Sequence, residues 1–313
     1  MHIITHGDIT GLNILPQQCL QWVNEVLKHK DQYLLPPKIS IPFKTDGFYN
    51  VMPAILTPFG YAGVKLVNRY PQRSPSLDSK ILLYELDDGL PVALLDANWI
   101  TTARTGAVAS HAISHLAVPD FSVIAVAGLG NTAVAAVDML QPVIGSRPVT
   151  FKLLHYKDHG QRFQERFAHV SNYSFSMCTT AEEAFQDSDV IISAVTYKEN
   201  DWCPPSTYRQ GSTVVPIHTR GFMECDRVFD KVFVDDIGHV KHFRYYNEFA
   251  SCHEMADIVQ EKCTGRDNNN QRILAYNIGI AAHDIYYAAQ IFELLKSKSS
   301  NVNVTGPTGN YWF

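Results

Sequence analysis

What this chain of 313 residues lacks narrows its options first. It has no lysine or arginine run and a formal net charge of -5, so it offers no electrostatic footprint for a polyanion. Neither nucleic acid nor an anionic membrane is an expected partner. No stretch approaches the ~20 apolar residues of a membrane helix. The first residues, MHIITHGDITGLNILP, lack the basic segment, apolar core and small-residue cleavage site of a signal peptide, and the expected location is cytoplasmic. The six cysteines (Cys19, Cys178, Cys203, Cys225, Cys252 and Cys263) include no C-x-x-C pair, which fits neither a disulfide framework nor a zinc knuckle. Free, mostly buried thiols are expected.

Hydrophobic residues make up 46% of the chain and charged residues 18%, as in a soluble globular protein rather than a disordered or fibrous one. The length favours two domains over one. From Ile41 to Val92 short apolar runs are punctuated by glycine and proline, with DDG at Asp87 to Gly89 as a hairpin signal. That pattern predicts a mixed or antiparallel sheet. Small and apolar residues then recur at helical spacing from Ile100 to Leu116, and VPD at Val118 to Asp120 ends the helix. From Phe121 onward strand, glycine turn, helix and strand alternate: FSVIAVAG, NTAVAAVDML, PVTFKLLHY, then SDVIISAVT, STVVPI and KVFVDD. Strands this continuously hydrophobic belong to a parallel sheet covered on both faces.

The expected architecture is therefore α/β: a doubly wound, Rossmann-type dinucleotide-binding domain over residues 119–279, plus a mixed α+β domain over residues 1–118. An amphipathic helix in NIGIAAHDIYYAAQIFELLKS, about residues 280–300, is expected to return to the first domain, and residues 301–313 form a loose polar tail.

Gly128-Leu129-Gly130-Asn131-Thr132-Ala133 matches G-x-G-x-x-A between a predicted strand and a predicted helix, the context in which the motif binds a dinucleotide. Gly128 permits the tight turn, Gly130 lets a pyrophosphate approach the backbone, and Ala133 keeps the helix near the sheet. N–H groups at the helix start, at Asn131 and Thr132, then hold phosphate. Ala194 and Val195, at the end of SDVIISAVT, join the expected cofactor set. The second strand ends LLHYKDHGQRF, offering Tyr156, Lys157 and Asp158, with Arg162 soon after. A cation there favours a 2′-phosphate, which tends to NADP, while Asp158 keeps NAD open.

Lys65 lies in the predicted strand GVKLVN, where a lysine on the solvated face is the usual outcome. Arg104 stands in a helix crowded with small residues, a place that suits close approach to another element. Alone it reads as readily as an ion-pair partner. Together, a buried lysine and arginine make a receptor for a small carboxylate, because arginine grips it through two bonds and lysine adds a movable donor.

GVKLVNRYPQ, LYELDDGLPVALLDANWITTARTGAVASHAISHLA and VIAVAGLGNTA together resemble the ornithine cyclodeaminase/mu-crystallin family, and the resemblance runs from about Pro36 to NIGIAAHDI. It implies a homodimer whose first domain supplies substrate binding and subunit contacts and whose second binds NAD(P). It also implies hydride transfer at the α-carbon of an amino acid, its 2-oxo acid or imine, or an amino-acid conjugate. On the same resemblance Lys65 falls on a substrate-contacting lysine, Arg104 on the arginine that holds the α-carboxylate, and Lys38 where an arginine is often found. Thr105 is expected near the cofactor.

The departure from the family pattern comes in VVPIHTRGFMECDRVFDKVFVDD. His218 occupies the place of the aspartate that cyclodeaminases use, with Glu224 as the matching glutamate. A histidine serves as general acid or base near neutral pH but does not imitate a carboxylate that stabilises an iminium cation. This favours a dehydrogenase, imine reductase or conjugate-cleaving enzyme over a deaminating cyclase. The other alternative is an NADP-dependent small-ligand carrier without turnover. A structural role for His218 as a loop histidine stays open, and Arg220 beside it is a candidate for a second carboxylate. His239, His242, Cys252 and His253 match no closed zinc site, so no metal is expected.

Overall fold

The computed structural model describes residues 1–43, 46–196, 198–218, 221–304, 306 and 309. The chain divides into two units: Met1–Ile14, Asp31–Thr101 and Ala281–Phe313 in the first, Leu15–Lys30 and Thr102–Ile280 in the second.

The first unit is built on strands β1 (His2–Ile4), β2 (Ile39–Phe43), β3 (Gly47–Leu56), β4 (Tyr61–Arg69), β5 (Leu77–Glu85) and β6 (Pro91–Asp96). Strands β2 to β6 form an antiparallel meander, β1 pairs with β6 in parallel, and Ser300–Asn301 adds a short antiparallel edge to β1. Burial alternates along β3 and β5 as a two-faced sheet requires. Met52, Ala54, Leu56, Ile81 and Leu83 are buried on one face, which packs against helix Ala281–Leu295. That helix is buried on nearly every side, from Ala281 to Leu295, rather than amphipathic as its sequence suggested. A helix apolar all round belongs inside a protein. Each fully buried Ile or Phe on it contributes roughly 1.5–3 kcal/mol.

The second unit carries a parallel sheet of β7 (Val123–Ala127), β8 (Val149–Leu154), β9 (Tyr173–Cys178), β10 (Val190–Ser193), β11 (Thr213–Pro216), β12 (Lys231–Val234), β13 (Cys252–Glu254) and β14 (Ile273–Tyr276). Their order across the sheet is β13-β12-β14-β11-β10-β7-β8-β9. The run β9-β8-β7-β10-β11 has the 3-2-1-4-5 order of a doubly wound fold, in which the order reverses between β7 and β10 and ligands bind beyond the carboxyl ends. Strands β10, β11 and β14 are buried at every position, as the continuous hydrophobic runs predict.

The division differs from the sequence expectation at two places. Helix Pro16–Lys28 belongs to the second unit, where Cys19, Trp22, Val23, Val26 and Leu27 form its buried face and it packs on helices Asn131–Met139 and Met255–Val259. The boundary also falls inside helix Asn98–Leu116, after Thr101, rather than at Val118. Of the tail, Val302 N donates to Met1 O at 2.8 Å beside the Ser300–Asn301 pairing, and residues 305, 307–308 and 310–313 lie outside the described set. The six cysteines are free thiols, four of them buried. Among the described residues no helix is long and apolar enough to cross a membrane.

Candidate active site

The glycine turn leaves β7 at its carboxyl end, at the point where strand order reverses. Gly128 has φ +81°, and a Cβ there would stand 2.7 Å from the carbonyl atoms of Ala194 and 2.8 Å from Val195 N. Only glycine lets the turn after β7 lie this close to the chain leaving β10. Gly130 is different: a Cβ on it would meet nothing within 4 Å. It is the residue before helix Asn131–Met139, and no side chain caps that helix. The open space over Gly130 and the uncapped N–H groups suit the close approach of a pyrophosphate. Ala133 is fully buried, as close helix–sheet packing demands, whereas Asn131 is exposed and Thr132 half-buried.

Helix Asn98–Leu116 lies against helix Asn131–Met139, which follows this turn. A Cβ on Gly106 would come within 2.5 Å of Ala135 C, and Ser110 Oγ donates to Ala136 O at 2.8 Å. One turn of small residues thus lets two helix backbones touch, and half-buried Thr105 immediately precedes the contact.

Arg104 is 7% exposed. Its guanidinium lies against the backbone of Gly279, where an added Cβ would stand 2.6 Å from Nη1. Gly279 has φ +96°, and its N–H donates to Asp235 Oδ2. Burial opposes charge on Asp235, yet the hydrogen bond and charge of His239, the Gly279 N–H and Lys30 hold its carboxyl below the usual range. Lys30, itself buried, bonds Asp235 O at 2.7 Å and Glu254 Oε2 at 2.6 Å. The arginine therefore rests on a glycine that a fixed anion holds in place.

Beyond β8 the backbone turns through Lys157 at φ +51°. Lys157 Nζ sits 5.2 Å from the centre of the Tyr156 ring, and Asp158 Oδ2 is 2.6 Å from Arg162 Nη2, both side chains exposed. The acid and the cations foreseen at this strand end are present together, and an exposed pair of this kind is worth at most about 1 kcal/mol.

His218 follows β11, whose Pro216 is in register with Ser193 of β10. Its Nε2 lies 2.7 Å from Ser193 Oγ, and that oxygen accepts from Trp202 Nε1 at 3.2 Å. Neither Ser193 nor Trp202 figured in the sequence expectation; serine carries no signal of its own, and the partnership needs the parallel register. Glu224 is exposed, and the hydroxyl of Tyr245, followed by Arg227 and Arg244, holds its carboxyl below the usual range. Arg220 lies outside the described residues. His239 bonds Asp235 and His242 packs edge-on to Phe243; among the described residues no three metal-ligating groups converge.

In the first unit Lys65 is only 1% exposed. It does not take the solvated face expected of a strand lysine, because in register with Met52 and Ile81 it points inward. Its Nζ is 2.7 Å from Asp284 Oδ2, in the first turn of the C-terminal helix. The sequence expectation missed Asp284; the signal was a carboxylate, beside His283, in the largely apolar GIAAHDIYYAA. Lys38 is half-buried just before β2.

Among curated proteins the chain is 28% identical over 270 residues to the nodulation efficiency protein NfeD of Rhizobium meliloti, covering 83% of each. It is 25% identical over 285 residues to an alanine dehydrogenase of Archaeoglobus fulgidus, covering 85% of each. Among solved structures, the Δ1-pyrroline-2-carboxylate reductase of Thermococcus litoralis, in complex with NADH and L-proline, superposes with a TM-score of 0.86. The match is at 23% identity over 96% of this chain and all of that one, and shows a shared fold. The model of the ornithine cyclodeaminase/mu-crystallin family matches residues 2–215, and the chain belongs to that family.

Proposed function

We propose that this protein is an NAD(P)-dependent oxidoreductase that transfers hydride to or from the α-carbon of a small amino acid or the corresponding imine. The observation that carries the reading is the open space over Gly130 at an uncapped helix start, beyond the strand ends where the sheet order reverses. Family membership and the similarity to an alanine dehydrogenase supply the substrate class.

When bound, the nicotinamide supplies the hydride acceptor or donor. The chain supplies the rest. Gly128, Gly130, Asn131, Thr132 and Ala133 hold the pyrophosphate, with Ala194, Val195 and Thr105 beside the nicotinamide half. Tyr156, Lys157 and Asp158 meet the adenosine ribose, and Lys157 with Arg162 favours a 2′-phosphate and hence NADP. Arg104 grips the α-carboxylate as a two-pronged fork, while Lys65 and Lys38 are substrate-contacting cations and Arg220 serves a second carboxylate. Because Asp284 neutralises Lys65, that lysine acts as a positioned donor more than as a net charge. His218 exchanges the proton that accompanies hydride transfer. Holding the reactants in register supplies much of the rate advantage.

The working form is a homodimer. The outward face of the first unit's sheet carries Ile39, Val51, Pro53, Ile55, Val64, Leu66, Leu82, Tyr84 and Leu94 in cross-strand register, with Ile39 57% and Leu66 48% exposed. An apolar patch of this kind, bordered by the Lys80–Asp96 ion pair in register with Leu66, is an interaction surface.

The test is a nicotinamide absorbance assay with NADH and NADPH, against Δ1-pyrroline-2-carboxylate and against pyruvate with ammonium, and in reverse with proline and alanine. Net oxidation of either cofactor supports the reading and gives the preference. Unchanged absorbance throughout, with ammonia released from ornithine in parallel tubes, would replace it with a deaminating cyclase.

A further inference from the structure

Ser193 ends β10 and is fully buried, and its Oγ has two hydrogen-bond partners among the described residues. An indole N–H can only donate, so Ser193 Oγ accepts from Trp202 Nε1. The hydroxyl has a single proton of its own, and it needs an acceptor, since a buried donor left unmatched is costly. Among the described residues the acceptor that Ser193 Oγ reaches is His218 Nε2, at 2.7 Å. If Nε2 carried the proton instead, the imidazole and the indole would both donate to Oγ. The hydroxyl proton of Ser193, a side chain sealed from solvent, would then have no partner among the described residues.

We propose that Ser193, oriented by Trp202, is a positioning residue that fixes His218 as the Nδ1–H tautomer. Any proton that His218 gains or gives then passes at Nε2, the nitrogen against Ser193, while Nδ1 keeps its own. The balance is simple. Neutral imidazole takes one proton at Nε2 to become imidazolium, in which Ser193 Oγ accepts from both Nε2–H and Trp202 Nε1–H with its own proton unmatched, and loss of the Nε2 proton relieves this and restores the starting tautomer. The inference deepens the proposed role of His218 and rests on that reading for its catalytic consequence. The tautomer itself stands on the geometry alone. The chemistry follows from this chain's own residues, because a carboxylate in the place of His218 would have no tautomer to fix.

The experiment is ring-nitrogen NMR of the full-length protein labelled with 15N-histidine, at a pH where the imidazole is neutral, with the His218 signals assigned by their loss in His218→Gln. The expected result is an unprotonated, hydrogen-bonded Nε2 and a protonated Nδ1. Ser193→Ala is expected to shift His218 toward the Nε2–H form that free imidazole favours. Trp202→Phe, which keeps the aromatic ring and removes only the N–H, is expected to give a mixture. In turnover, Ser193→Ala is expected to lower kcat at least about 10-fold while KM stays within about 2-fold, the split of a residue that acts through an acid–base group. A protonated Nε2 in the unaltered protein, or nitrogen shifts that ignore Ser193→Ala and Trp202→Phe alike, would overturn the assignment. Normal kcat in His218→Gln would instead overturn the catalytic reading of His218, leaving the nitrogen shifts to decide the tautomer.

Discussion

Lys65 Nζ stands 2.7 Å from Asp284 Oδ2, and both side chains are sealed from solvent. An ion pair taken out of water is a poor source of net stability but costly to break, because the survivor is left charged and unmatched. Asp284→Ala is expected to destabilise the protein by about 3–5 kcal/mol. The double variant Lys65→Met with Asp284→Leu should recover most of that loss and remain inactive. Denaturant titration of the three proteins checks this, and a double variant no more stable than Asp284→Ala would contradict it.

The two glycines of the turn should respond in opposite ways. At Gly128 a methyl group collides with the backbone of Ala194, and the backbone is left-handed. Gly128→Ala is expected to lower the melting temperature sharply. At Gly130 a methyl group meets open space, so Gly130→Ala should melt near the parent protein yet bind NADH and NADPH at least about 10-fold more weakly, the cost of ~1.4 kcal/mol or more. Fluorescence titration of the reduced cofactor separates the two; unchanged affinity in Gly130→Ala would remove the pyrophosphate from that position.

Arg104 and Gly279 should behave as one unit. Arg104→Ala is expected to raise KM strongly with cofactor affinity nearly intact. Gly279→Ala, which drives a methyl group against the guanidinium, should do the same in milder form. Its left-handed φ adds a stability loss of about 1 kcal/mol or more. Equal loss of substrate and cofactor binding in Arg104→Ala would contradict the carboxylate role.

Burial pushes the Asp226 carboxyl up to about 8, although a hydrogen bond from the Tyr276 hydroxyl at 2.6 Å favours its charged form. A folded-state value above the unfolded one means the group's stabilising contribution is complete below pH 3.8 and disappears as pH rises through about 8. Across that window Asp226 should weaken the fold by on the order of a few kcal/mol. Asp226→Asn removes the titration, so the difference in stability between the parent and Asp226→Asn should change steadily against the parent from pH 5 to pH 8. A pH-independent difference would show that Asp226 is charged throughout.

The apolar sheet face should be where two copies meet. Val64→Glu or Leu66→Glu places a charge there without touching the inward face that holds Lys65. Sedimentation equilibrium should show dissociation at concentrations where the parent is dimeric, and an unchanged assembly would place the contact elsewhere.

Local features of the site were legible in the sequence. The glycine turn, the small-residue helix around Arg104 and the cations after β8 each lie within one turn or one strand end, where spacing alone sets geometry. What stayed hidden depends on distant register. Asp284 meets Lys65 only once the last helix lies on the inward face of β4, and Ser193 meets His218 only because β10 and β11 end level. Helix Pro16–Lys28 shows the same limit: its apolar stripe announces a buried face and says nothing of which unit buries it.

In the proposed reaction hydride moves between the nicotinamide and the α-carbon of an amino acid. Incubation with Δ1-pyrroline-2-carboxylate, and separately with pyruvate and ammonium, in the presence of cofactor reduced with deuterium at C4 on either face, tests it directly by NMR of the product. One deuterium is expected at the α-carbon of proline or alanine from one face of the cofactor. Product without deuterium at that carbon, or no product from either mixture, would contradict it.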